Sequence, residues 1–179
     1  MRQFLFLVAM SLGVAVSLPA MAAGDLVPCE KIGISLKIEG FDPYAARCQQ
    51  GDAGGNVGLR YEGLTADSGG VLIQAVARRA VGDSYRKSIS DAEVQRLAQG
   101  SNGWLAVQAR SWSAPSRIGE GRIIQALTTD DACLFYVEPF GNKDYGHRGD
   151  HTLLYCRPGT VFFGNEDIAQ ILRGIAFKE

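Results

Sequence analysis

The chain has 179 residues, 46% of them hydrophobic and 21% charged, with 18 Lys and Arg against 19 Asp and Glu. That composition is globular, and its length suits a single folded domain behind a leader. A net charge of −1 lacks the basic excess that a nucleic acid or an anionic membrane would draw on, so neither is expected as a partner.

The amino terminus reads as a secretory signal peptide over residues 1–22. Arg2 supplies a positive start, Phe4 to Val16 is an apolar run, and Ala20-Met21-Ala22 places small residues where a signal peptidase reads them. The run is too short for a membrane span, and no later stretch is long enough for one. Removing the leader takes away one arginine and no acid, a balance of 17 to 19 and a net charge of −2. Residues 23–179 are then one α/β domain. A lipidation box at Leu26-Val27-Pro28-Cys29 is disfavoured by Pro28 and by Asp25. The absence of any Asn-x-Ser/Thr sequon fits a bacterial envelope. The expected location is periplasmic or secreted.

Residues 32–39 (IGISLKIE) alternate apolar and polar side chains, as does 57–62 (VGLRYE), and both read as half-buried strands. The Gly-, Asp- and Gln-rich segment between them, which contains Cys48, reads as a loop. Residues 71–77 (VLIQAVA) are more continuously apolar and suit a central strand. Ser90-Asp91-Ala92-Glu93 is a capping box, so a helix is expected from Asp91 to Gly100. Strands follow at 104–112, 122–128, 132–138 and 151–156. A last helix opens at Asn165, with Glu166 and Asp167 at its positive end. Ile168, Ile171, Leu172 and Ile175 form its inner stripe, Gly174 stops it, and Ile175 to Phe177 is left as a short tail. The expected order is β-β-β-α-β-β-β-β-α. The fold class is α+β, a mainly antiparallel sheet packed by two helices in an α-β-α sandwich-like arrangement.

Four cysteines in an exported chain read as two disulfides. If Glu138 faces His151 in an antiparallel hairpin, Cys133 faces Cys156 directly and a cross-strand bond can form. Cys29 then pairs with Cys48. Each bond encloses about 20 residues, worth roughly 3 kcal/mol in the chain-entropy model. Zinc and dithiol-redox sites need closer cysteine spacing than this chain has.

The run GISLKIEGF (33–41), the mid-chain helix and the ending FGNEDIAQILRGIAF (163–177) resemble the PsbP-type superfamily in element order and texture. The resemblance implies an α-β-α sandwich serving as a non-catalytic binding scaffold, with no functional residue to carry over.

Both histidines of the chain lie in PFGNKDYGHRGDH (139–151), read as a twelve-residue connection over 139–150. Long anchored loops are often functional, so Asp144, Tyr145, His147, Arg148, Asp150 and His151 are the candidate binding loop. Asp144, His147, Asp150 and His151 have metal-capable side chains at spacings a loop could fold around an ion. A plain solvated hairpin loop has the same composition. No nucleophile elbow or dinucleotide fingerprint is present, so no catalytic residue and no cofactor is assigned. Arg148-Gly149-Asp150 is a chance tripeptide, Arg78-Arg79 and Arg86-Lys87 a solvated basic rim, and Trp104 with Trp112 a pair on one strand face. The function expected is non-catalytic binding of another envelope or secreted protein, with an inhibitor or immunity-type protein acting on an envelope hydrolase as the sharper form. A metal-binding envelope protein and a hydrolase with an unrecognised site are the alternatives.

Overall fold

A computed structural model describes residues 24–38, 41–42, 45–53, 58–82, 108–114, 121–141 and 146–178. The leader, the helix expected from Asp91, Trp104, Asp144 and Tyr145 lie outside the described residues.

Among the described residues ten strands form: β1 (Asp25–Val27), β2 (Ile34–Leu36), β3 (Ala46–Ala53), β4 (Leu59–Ser68), β5 (Val71–Ala80), β6 (Gln108–Ala114), β7 (Gly121–Leu127), β8 (Asp131–Phe140), β9 (Gly149–Pro158) and β10 (Ile175–Phe177). Eight build one antiparallel sheet in the order β1-β3-β4-β5-β9-β8-β7-β6, and β2 pairs with β10 in a two-stranded ribbon. One α-helix, α1 (Asn165–Arg173), occurs among the described residues. The two-helix α+β sandwich is therefore corrected to a mostly antiparallel β fold. The error arose chiefly at β3, whose sequence ARCQQGDA lacks the β-branched residues that mark a strand. Pairing with β4 along its whole length, with β1 at Cys48 to Gln50, makes it one regardless. No helix of the described residues is long and apolar enough to cross a membrane.

Alternate residues of each strand face opposite sides of the sheet. One side carries Leu64, Ile73, Ala75, Leu134 and Leu153, on which Ile168 and Ile171 of α1, Ile175 of β10 and Ile34 of β2 pack. The other carries a separate buried cluster of Ile124, Phe135, Val137 and Leu154 around Cys133 and Cys156. β5 lies between β4 and β9 and is buried on both sides, as its continuous apolar sequence anticipates.

Both disulfides form as expected, Cys29–Cys48 and Cys133–Cys156. The β8–β9 ladder has the inferred register, with Cys133 opposite Cys156 and Glu138 opposite His151. Two disulfides suit an oxidising compartment.

The helix begins at Asn165, as its sequence suggests. Gly164 is the N-cap, and Asp167 Oδ2 accepts a hydrogen bond from the Gly164 N–H at 3.2 Å. Gly174 ends it, and Ile175 to Phe177 then enter the ribbon as β10 rather than trailing as a tail. The segment before the helix is held by a buried amide. Gln125 on β7 accepts from the Phe163 N–H at 2.7 Å and donates to the Phe163 carbonyl at 3.2 Å, imitating a strand partner. At the opposite side of the sheet Tyr61 lies across Gly24 and Gly51, where any β-carbon would strike its ring or hydroxyl. Burial, with the Asp25 carboxylate adding to it, raises the Tyr61 pKa above its ordinary 10.

Candidate functional site

The end of the β8–β9 hairpin is longer and tighter than its composition implies. Pairing continues past Glu138–His151 to Pro139–Asp150 and Phe140–Gly149, so the connection is residues 141–148 and not twelve residues. The Arg148 N–H donates to the Phe140 carbonyl at 2.9 Å, and the Ala80 N–H donates to the Arg148 carbonyl at 2.7 Å. The base of the loop is thus bonded to both neighbouring strands.

Asp150 and His151 are consecutive residues of β9 and point to opposite sides of the sheet. On one side, Asp150 faces its direct cross-strand partner Arg78 of β5. Arg78 Nε and Nη2 both donate to Asp150 Oδ1, at 2.7 and 2.6 Å. Asp150 is 1% exposed, and the Arg78 side chain retains 23%. This is a buried charge pair one step from the end of the β5–β9 ladder.

On the other side, the His151 ring lies between two phenylalanines. Phe140 stacks on it at 4.5 Å with an interplanar angle of 25°, and Phe177 of β10 at 4.2 Å and 8°. The Arg79 guanidinium caps the column, 5.7 Å from the Phe140 centroid, and donates to the Lys178 carbonyl. Gly149 makes the column possible. A β-carbon there would collide with the Arg78 carbonyl and come within 2.5 Å of Phe140 Cζ. The aromatic ring thus covers the glycine opposite it, a known way of protecting a bare strand position.

His147 is buried at 2% exposure just before the ladder begins, and Arg148 beside it is exposed. Of the six residues read as a binding loop, His147, Asp150 and His151 are therefore interior, and Arg148 alone of the described four faces solvent. Among the described residues no group of three His, Cys, Asp or Glu side chains is placed to hold a metal. Asp150 and His151 diverge across the sheet, so a common ion would have to pass through the ladder.

Arg78 and Arg79 were legible only as a polar rim, and the structure gives both a specific partner. Phe140 and Phe177 carried no signal beyond hydrophobicity. The β8–β9 register, carried two pairs further, would have set Phe140 against Gly149. No sequence pattern brings β10 over His151.

No family model, curated protein or solved structure matches this chain. The likeness to the PsbP-type superfamily is accordingly neither supported nor opposed by the comparisons.

Proposed function

We propose that this is an exported, periplasmic protein of a bacterial envelope that binds another protein without catalysis. In its sharper form it is an inhibitor or immunity-type protein that blocks an envelope hydrolase. The contact surface is the sheet end that carries residues 141–148. The observation that supports this reading is the burial of His147, Asp150 and His151. Two of the side chains best suited to acid–base chemistry are engaged in packing that end, Asp150 with Arg78 and His151 between Phe140 and Phe177. Among the described residues the same end exposes Arg148, Lys178, the Arg60–Asp52 ion pair with side chains 69% and 79% accessible, and Val81 at 49%. A rim whose base is bonded to both neighbouring strands loses less conformational entropy on docking than a free loop, which favours a preorganised binder.

The test uses immobilised residues 23–179, exposed to envelope extract, with retained proteins identified by mass spectrometry. A variant with 141–147 replaced by Gly and Ser of equal length runs in parallel. One dominant protein, lost with the variant while the melting temperature is kept, would support the proposal. If that protein is a hydrolase, its turnover should fall on adding the wild-type chain alone. Equal retention by both chains, or turnover of an envelope substrate by this chain itself, would overturn it.

A further inference from the structure

We draw no further inference here: the strongest candidate, the buried stack of His151 between Phe140 and Phe177 beneath Arg79, belongs to the site already described, and the charged groups in view on its side, Arg79 and Glu138, oppose one another and leave the effect of protonating the ring without a sign.

Discussion

At Asp150 a carboxylate is shut inside a sheet and paired with the Arg78 guanidinium. A buried pair of this kind adds little over a well-packed apolar pair, but removing one member strands the other. Asp150→Ala should therefore lower the unfolding free energy by about 3–5 kcal/mol. The double variant Arg78→Met, Asp150→Leu should recover most of that loss. Urea denaturation of the four chains in the cycle measures it. Near-additive losses in place of recovery would mean that the pair is held by something other than mutual charge. Gly149→Ala tests the next residue. Its new methyl group has no space, and overpacking of this kind costs roughly 1–3 kcal/mol.

Tyr61 gives a pH prediction. Its pKa is raised by burial first and by Asp25 second, and that of Tyr155 is raised by burial first, with Asp167 adding and Arg157 opposing. Below pH 10 both folded and unfolded chains keep these phenols neutral, and the contribution to stability is complete. Above pH 10 the unfolded chain ionises first, so stability falls as pH climbs towards the folded values. Circular dichroism between pH 9 and 12 should show alkaline unfolding, and Tyr61→Phe should move its onset upward. An unchanged onset would remove Tyr61 from the account.

At the scale of elements, Gln125 holds the segment before α1, Cys29–Cys48 ties the segment after β1 to β3, and Cys133–Cys156 cross-links β8 to β9. Gln125→Ala deprives the Phe163 N–H and carbonyl of their partner in a buried setting. The expected loss is about 2–6 kcal/mol, from a desolvation cost of about 1–3 kcal/mol for each of the two stranded groups. Replacing Cys133 and Cys156 together by alanine should cost about 3 kcal/mol, as should replacing Cys29 and Cys48. Guanidinium titrations of the oxidised chains provide the comparison.

β5, a continuous apolar run, and the β8–β9 hairpin were legible because an apolar run and cysteine arithmetic are local. β3 was not legible. Its Gln, Gly and Asp residues have poor strand propensity, and the neighbours that order it, β1 and β4, are known only once the chain is folded. β10 was hidden for a related reason. Ile175 fits the helical stripe equally well, and the end of α1 at Gly174 releases it to pair with β2, some 140 residues away in the chain.

For the molecule as a whole, the candidate site was half legible. The sequence singled out one turn of chain, and the structure brings its histidines and Asp150 together with Arg78 and Arg79 at one end of the sheet. It mistook interior for surface because a run of Gly, Asp, His and Arg has loop composition, whereas burial depends on the strands packed beside it. The binding proposal belongs at this scale too. It predicts that His151→Phe, which keeps an aromatic ring in the stack, leaves partner retention unchanged. Arg148→Glu, on the exposed rim, should weaken retention at least tenfold, as read by surface plasmon resonance against the captured protein. The reverse pattern would place the contact inside the histidine column and sink the rim as the binding surface.

The order of the cysteines has a consequence for biogenesis. Each disulfide joins a cysteine to the next one along the chain, 29 to 48 and 133 to 156, with neither loop enclosing the other. A polypeptide threading into an oxidising space amino terminus first presents Cys48 while Cys29 is its only available mate. The second pair arrives after the first is sealed. An oxidase that joins thiols as they emerge would therefore make the native bonds without rearrangement. Maturation of this protein should be indifferent to loss of a disulfide isomerase and sensitive to loss of the oxidase.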